Sequence, residues 1–190
     1  MDNSRAYFPT ETGCNIRCIP AVESPLSSDV FLIEGEENIY AYDVGSSPAA
    51  EKILQNLNKP LVIILSHFHK DHTSNLARLT YQQLYVGGVT RQRLHCGTTL
   101  PGNMLTINDG ARLEIQRCPS VHEKGSLILN VNREYTLLGD LIYARGEPDK
   151  AIKTAMLLTL QAVDTRFFVV SHQRDKIFEK EKLLEIIRKK

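Results

Sequence analysis

Four residues that could bind metal fall within six positions of the segment Ser66-His67-Phe68-His69-Lys70-Asp71-His72. In extended backbone, residues two apart project to the same face, so His67 and His69 can offer two imidazole nitrogens to one ion. As the chain leaves that strand, Asp71 and His72 can reach a second ion with an oxygen and a nitrogen. Histidines also cluster by accident, but at this composition the pattern arises by chance with a probability of about 10⁻⁴. We interpret the segment as metal-binding.

Further polar residues stand where predicted apolar strands end. His122 and His172 lie at or just past such ends, where one shared site could collect them. Asp140 follows an apolar strand and needs a partner, which could be two bridged cations or, alternatively, a cap or a salt bridge. We interpret Asp43, which also ends an apolar strand, as a residue that orients a ligand or loop. His95 is interpreted as a surface or hydrogen-bonded helix histidine.

The elements that must position these residues alternate between strands and helices. Alternating and apolar runs predict strands over 15–19, 30–33, 39–43, 61–65, 83–86, 104–107, 112–117, 126–131, 135–138 and 167–170. Helical spacing predicts helices over 48–57, 74–79, 89–95, 150–163 and 176–189, the last with Ile177, Leu184 and Ile187 inward. Turns are expected at 35–38 and at Asn108-Asp109-Gly110. The first half therefore has an α/β pattern, and the second half pairs hairpins with a closing helix.

The composition is that of an ordinary globular protein, with 190 residues, 42% hydrophobic and 24% charged residues and a formal charge of +1. This length favours one domain spanning 1–190. The near-neutral charge argues against nonspecific binding to nucleic acid or to an anionic membrane. The polar N-terminus does not resemble a secretory signal, so we expect a cytoplasmic protein. The four cysteines match neither a disulfide scaffold nor a thiolate zinc site, and we interpret them as reduced and structural.

The pattern resembles the metallo-β-lactamase superfamily, whose hallmark His-x-His-x-Asp-His stands here at His67, His69, Asp71 and His72. The resemblance spans nearly the whole chain and implies an α/β fold, a four-layered αββα sandwich of two mixed β-sheets flanked by helices. It implies a first metal held by His67, His69 and His122. It assigns the second metal to Asp71, His72 and His172, and the bridging position to Asp140. The chain departs from the family's usual Pro-Gly-His-Thr and Gly-His-Gly with Ser120-Val121-His122-Glu123 and Ser171-His172-Gln173.

Two adjacent cations lower the pKa of a shared water from 15.7 toward ~7, so we expect a metal-bridging hydroxide to be the nucleophile, with Asp71 as a candidate proton shuttle. Nitrogen and oxygen ligands suit zinc, and also iron or manganese. The full ligand set resembles that of glyoxalase II, which favours a small-molecule thioester or ester substrate. A phosphodiesterase or lactonase, and a non-catalytic metal-binding or sensor protein, stay open, and oligomeric state is not readable. Candidate contacts to an anionic substrate, or else solvated surface residues, are Lys70, Lys124, Tyr143 and Arg145.

Overall fold

A computed structural model describes residues 6–11, 13–144, 146–173 and 175–189. Its first half contains β1 (Ala6–Pro9), β2 (Asn15–Ile19), β3 (Val22–Glu23), β4 (Leu26–Ser27), β5 (Val30–Glu34), β6 (Ile39–Tyr42), α1 (Pro48–Gln55), β7 (Leu61–Ile64), α2 (Lys70–Thr73), a 3₁₀ helix (Leu76–Arg78), β8 (Gln83–Tyr85) and α3 (Gly88–Leu94). Its second half contains β9 (Met104–Asp109), β10 (Ala111–Cys118), β11 (Ser126–Val131), β12 (Tyr135–Leu137), α4 (Lys150–Ala162), β13 (Phe167–Val169), β14 (Ile177–Glu179) and α5 (Lys180–Lys189).

The strands form two six-stranded mixed sheets, ordered β1-β2-β5-β6-β7-β8 and β14-β13-β12-β11-β10-β9. The pairs β6–β7, β7–β8 and β12–β13 are parallel, and the other neighbours in these two sheets are antiparallel. A core that includes Phe31, Tyr42, Leu113 and Leu129 lies between the sheets. All four residues of β7 are buried, because both faces of this strand are covered.

Helices cover the two outer faces. Leu54 of α1 packs with Leu32 and Ile63 on the outside of the first sheet. Met156 of α4 and Leu184 of α5 pack with residues such as Phe168 on the outside of the second sheet. The predicted αββα sandwich of two mixed sheets is therefore confirmed.

The strand directions bring the chemistry to one end of the sandwich. Strands β6 and β7 are parallel, so Asp43 and the 66–72 segment follow carboxyl ends at the same edge of the first sheet. In the second sheet, β12 is parallel to β13, and β10 runs in the same direction because both β10 and β12 are antiparallel to β11. The segments that carry His122, Asp140 and His172 therefore leave their sheet at one edge, and the Leu127 N–H donates to the Ser66 carbonyl across the two edges (2.9 Å).

The predicted C-terminal helix is wrong in its first part. Residues Ile177–Glu179 form β14, which pairs with β13, and α5 begins only at Lys180. Ile177 is 40% exposed rather than inward, whereas Leu184 and Ile187 are buried as predicted. An available edge on β13 outweighs the helical spacing of these three residues, since strand pairing satisfies their backbone groups.

Two other differences are short elements. The 74–79 helix is reduced to the 3₁₀ turn Leu76–Arg78, and the chain turns into α2 at Lys70, so Asp71 and His72 stand on a helical turn.

His95 is exposed at the end of α3 with a left-handed backbone (φ 56°), as expected for a surface histidine. The four cysteines, all within the described residues, carry free thiols. In the described part of the chain, none of the helices is both long and apolar enough to span a bilayer.

Candidate metal centre

The structure brings all seven predicted metal ligands together as two groups of donor atoms, each group lying within 4.8 Å. We call the first group the histidine set; it consists of His67, His69 and His122. We call the second group the mixed set; it consists of Asp71, His72, Asp140 and His172. The 66–72 segment contributes to both sets, and the second sheet supplies the remaining residues.

Three ring nitrogens converge in the histidine set. His69 Nδ1 lies 2.9 Å from His67 Nε2 and 3.0 Å from His122 Nε2. These distances resemble those between ligands of one tetrahedral ion, since zinc–nitrogen bonds of about 2.0–2.1 Å place the nitrogens roughly 3.3 Å apart.

In each ring, the hydrogen-bond partner of the nitrogen that faces away from the set determines which nitrogen carries the proton. His69 Nε2 faces the Glu123 carboxylate (3.0 Å) and His122 Nδ1 faces the Tyr143 carbonyl (2.7 Å). Both partners only accept hydrogen bonds, so these nitrogens must donate. In the neutral rings the lone pairs then lie on His69 Nδ1 and His122 Nε2, the atoms that face each other.

His67 follows the same rule through Ser66. The Ser66 hydroxyl donates to Asp43 Oδ2 (2.8 Å), so it can only accept from His67 Nδ1 (2.9 Å). Burial, and secondarily the charges of neighbouring histidines, lower the pKa of His67, which keeps this ring neutral. Three lone pairs therefore point at one another, an arrangement that a cation between them would stabilise.

The mixed set combines two rings with two carboxylates. His172 Nε2 lies 3.1 Å from Asp71 Oδ2 and 3.4 Å from His72 Nε2. Burial raises the pKa of Asp71, but the hydrogen bond from His172 and the charge of His72 outweigh it and lower that pKa. The hydrogen bond with Asp71 in turn raises the pKa of His172, although burial opposes this.

His72 is fully buried, and its Nδ1 donates to Asp43 Oδ2 at 2.7 Å. Burial lowers the pKa of His72, but the charges of Asp43 and Asp140 outweigh it and raise that pKa to about 10. In the absence of metal this ring therefore carries a second proton at neutral pH. A metal bound to Nε2 would replace that proton, as metal binding does at titratable ligands.

Asp140 lies between the two sets. Its Oδ2 is 3.6 Å from His122 Nε2 and 3.4 Å from His72 Nε2. Its Oδ1 is buried and has no hydrogen-bond partner among the described residues, and it lies 3.6 Å from His172 Nε2. A buried carboxylate oxygen without a donor is costly unless a cation lies beside it. The residues therefore fit two adjacent metal ions with Asp140 between them.

Asp43 lies directly behind the two donor sets. It is 1% exposed, has a left-handed backbone (φ 62°), and accepts from the Ser66 N–H as well as from the Ser66 hydroxyl and His72. One carboxylate thus orients His72 directly and His67 through Ser66. Carboxylate–histidine pairs of this kind fix the tautomer and orientation of metal ligands.

Two acidic residues that contact the ligands were not predicted. Glu123 contacts His69, and the fully buried Asp29 accepts from the His172 N–H (2.9 Å) and forms an ion pair with Lys176. Glu123 stands where the sequence departs from the family's usual threonine, and this departure was the available signal, although the contact with His69 was not predicted from it. Asp29 stands 143 positions before His172, and its sequence context, at the start of an apolar strand, carries no signal of this contact.

The predicted substrate contacts are distributed differently. Lys70 and Tyr143 line a cavity of about 710 Å³ together with five residues of the two donor sets and the exposed Leu26. Lys124 lines a neighbouring cleft of about 390 Å³, and Arg145 lies outside the described residues. A larger open groove, about 1300 Å³, lies between the first sheet and α1, away from the donor atoms.

Comparison with known proteins agrees with this architecture. The family model of the metallo-beta-lactamase superfamily matches residues 24–87, which include the 66–72 segment. None of the curated proteins matches the sequence. The metallo-beta-lactamase FIM-1 from Pseudomonas aeruginosa, solved in a mono-zinc form, is 16% identical with a TM-score of 0.73, over 99% of this chain and 95% of that chain.

Two further solved structures name iron in their descriptions. A peroxy diiron species of the chemotaxis sensor ODP is 12% identical with a TM-score of 0.72, over 97% of this chain and 93% of that chain. A mutant flavo di-iron protein from Thermotoga maritima is 11% identical with a TM-score of 0.68, over 96% of this chain and 61% of that chain. The chain has the metallo-β-lactamase fold, and the resemblance inferred from its histidine and aspartate pattern is confirmed.

Proposed function

We propose that this protein is a dinuclear metal-dependent hydrolase that cleaves a small thioester or ester. The observation that carries the proposal is the pair of donor sets that meet at Asp140, whose Oδ2 lies within 3.6 Å of a ring nitrogen in each set. Donors of nitrogen and carboxylate oxygen suit zinc, iron and manganese.

The histidine set would hold one ion, the mixed set the other, and Asp140 would contact both. When bound, two such ions lower the pKa of a shared water and polarise a carbonyl or phosphoryl oxygen. Asp71 lines the open cavity beside the mixed set, where its carboxylate would relay a proton between the cavity and solvent. Asp43 and Ser66 hold His67 and His72 with the Nε2 atom of each ring facing inward.

The cavity residues define what a substrate meets. The Lys70 side chain offers a positive charge and Leu26 an apolar surface on the cavity wall. The Tyr143 hydroxyl donates to the Ser171 carbonyl (2.7 Å), and burial raises the pKa of Tyr143 to about 12, so this group stays protonated and structural at neutral pH. We therefore assign Lys70, rather than Tyr143, the contact with an anionic part of the substrate.

A thioester is preferred because the complete set with a bridging aspartate resembles that of glyoxalase II. Lactones and phosphodiesters require the same donors and form the nearest alternative substrates. A non-catalytic iron-binding or sensing role is the second candidate, favoured by the likeness in fold to the chemotaxis sensor structure with its diiron species.

The test is metal analysis followed by turnover. Metal-free protein is loaded separately with Zn²⁺, Mn²⁺ or Fe²⁺ and assayed on a thioester, a lactone, a phosphodiester and a chromogenic β-lactam. We expect two ions per chain and turnover of the thioester that is lost in Asp140→Asn. Asp164→Asn, with an exposed carboxylate outside the site, is the matched control and should retain wild-type turnover.

The outcomes separate the candidates. Two bound ions without turnover on any substrate would overturn the hydrolase proposal and favour the binding or sensing role. Turnover confined to the lactone or phosphodiester would overturn the thioester assignment while retaining the hydrolase.

A further inference from the structure

Glu123 lies directly behind the histidine set. Its carboxylate Oε1 is 3.0 Å from His69 Nε2, on the side of the ring opposite the converging nitrogens. The two side chains are largely shielded from solvent, at 24% exposure for Glu123 and 17% for His69. An ionised hydrogen bond in such surroundings is stronger than one between neutral groups.

The backbone around Glu123 is held by its own hydrogen bonds. The Glu123 N–H donates to Ser120 Oγ (3.2 Å), and its carbonyl accepts from Ser126 Oγ (2.9 Å). Ser120 Oγ also accepts from the His122 N–H (3.0 Å) and donates to the Leu141 carbonyl (3.1 Å). The carboxylate is therefore presented to His69 from a fixed loop that also carries His122.

The two donor sets are alike in the hydrogen-bond partners that lie behind their histidine rings. In the mixed set, His72 donates to the Asp43 carboxylate. In the histidine set, His67 and His122 use neutral partners, a serine hydroxyl and a backbone carbonyl, whereas His69 uses the carboxylate of Glu123. Each set thus contains one ring whose outer nitrogen contacts a carboxylate that belongs to neither set.

We propose that Glu123 is a positioning residue that fixes the orientation and tautomer of His69 and thereby sets the metal affinity of the histidine set. Without an acceptor at Nε2, the His69 ring can place its proton on Nδ1 or turn, and in either case the lone pair leaves the set. Loss of an outer partner of a metal ligand costs about 10- to 100-fold in metal affinity. This inference rests on the proposed metal centre.

The test measures the two sets separately. Metal-free wild type, Glu123→Ala, Glu123→Gln and Glu147→Gln are titrated with Zn²⁺ by calorimetry, while the ¹⁵N signals of the histidine rings report which set fills at each step. Glu147 lines the same cleft as Glu123 and is exposed, so Glu147→Gln removes the same charge as Glu123→Gln without touching a ligand in the described structure.

We expect Glu123→Ala to weaken binding at the histidine set about 10- to 100-fold and to leave the mixed set within about twofold of wild type. Glu123→Gln should recover part of the loss, because its amide oxygen can still accept from His69 Nε2. A change in general stability would not produce this difference between the sets. Circular dichroism checks that each variant is folded.

Three results would overturn the proposal. Wild-type affinity at the histidine set in Glu123→Ala would show that His69 needs no carboxylate, and equal losses in Glu147→Gln would reduce the effect to charge alone. Wild-type protein that binds no metal would overturn the proposed metal centre itself, and this inference with it.

Discussion

Replacing Asp43 by Asn tests whether outer hydrogen bonds control the metal ligands. The change keeps the size of the side chain, and Asn tolerates the left-handed backbone at this position (φ 62°). Asp43 accepts at Oδ1 from the Ser66 N–H and at Oδ2 from both the Ser66 hydroxyl and His72 Nδ1. An amide has only one oxygen, so it cannot accept at both positions.

Each orientation of the amide has a cost. If its oxygen stays with the Ser66 N–H, the NH₂ group faces His72 Nδ1, which must then accept and place its proton on Nε2. If the oxygen faces His72, two donors meet at the buried Ser66 N–H, which costs about 1–3 kcal/mol. His67 can keep its bond to Ser66 Oγ in the first orientation, so the mixed set is affected most.

The expected magnitude follows from the bond that is lost. A hydrogen bond between a buried ring and a carboxylate contributes about 1.5–3 kcal/mol, which corresponds to about 10- to 100-fold in affinity at 1.4 kcal/mol per tenfold. Asp43→Asn should therefore lower the metal affinity of the mixed set by this factor and change the affinity of the histidine set less.

The assay is the calorimetric titration with Zn²⁺ described above, with Asp164→Asn as the matched control, since its side chain is 74% exposed. Circular dichroism verifies that Asp43→Asn is folded. A folded Asp43→Asn protein that binds both ions with wild-type affinity would refute the reasoning from tautomers. The two variants should differ in which set loses metal affinity: Glu123→Ala should lose it mainly at the histidine set, and Asp43→Asn mainly at the mixed set.

The other predictions concern stability. Free metal at about 100 times Kd adds ~2.7 kcal/mol for each bound ion, or roughly 5–11 °C per ion in melting temperature for a chain of this size. Two ions should therefore give about twice this shift in scanning calorimetry with and without chelator, and no shift would contradict the metal centre. Gly139→Ala should lower the free energy of unfolding in urea by more than Gly146→Ala, because both have positive φ but only at Gly139 does an added Cβ meet Ser66 at 2.8 Å; equal losses would contradict this. Asp109→Ala should cost about 2–3 kcal/mol, since its carboxylate accepts hydrogen bonds from the β5–β6 turn and Tyr40. Burial raises the pKa of Asp109, but these hydrogen bonds outweigh it and lower that pKa below 3.8. The difference in free energy of unfolding between wild type and variant should therefore be complete above pH 3.8 and shrink as the pH falls through the lowered pKa. A difference that grew in acid would contradict the assignment.

Much of the site could be predicted because its residues carry strong local signals. The 66–72 segment places four donor residues beside one apolar strand, and Asp43 and Asp140 end apolar strands where a carboxylate needs a partner. Parallel strands then bring such ends to a common edge, so convergence follows from topology. Most strands and helices were predictable because periodicity is strongest in long buried elements. The four-layered arrangement itself was implied by the resemblance to the metallo-β-lactamase superfamily.

The remaining features depend on contacts that are distant in sequence. Glu123 resembles a solvated surface residue until the fold brings His69 against it, 54 positions away. Asp29 contacts His172 across the two sheets, and β14 forms because β13 offers an edge. The β3–β4 hairpin has strands of two residues, too short for any alternation to appear. Tertiary packing decides each of these features.

The number of ions that wild-type protein takes up, starting from the metal-free form, tests the central claim most directly. Titration with Zn²⁺, checked by elemental analysis after gel filtration, should give two ions per chain in wild type. A wild-type protein that retains one ion per chain, or none, after the same treatment would contradict the account.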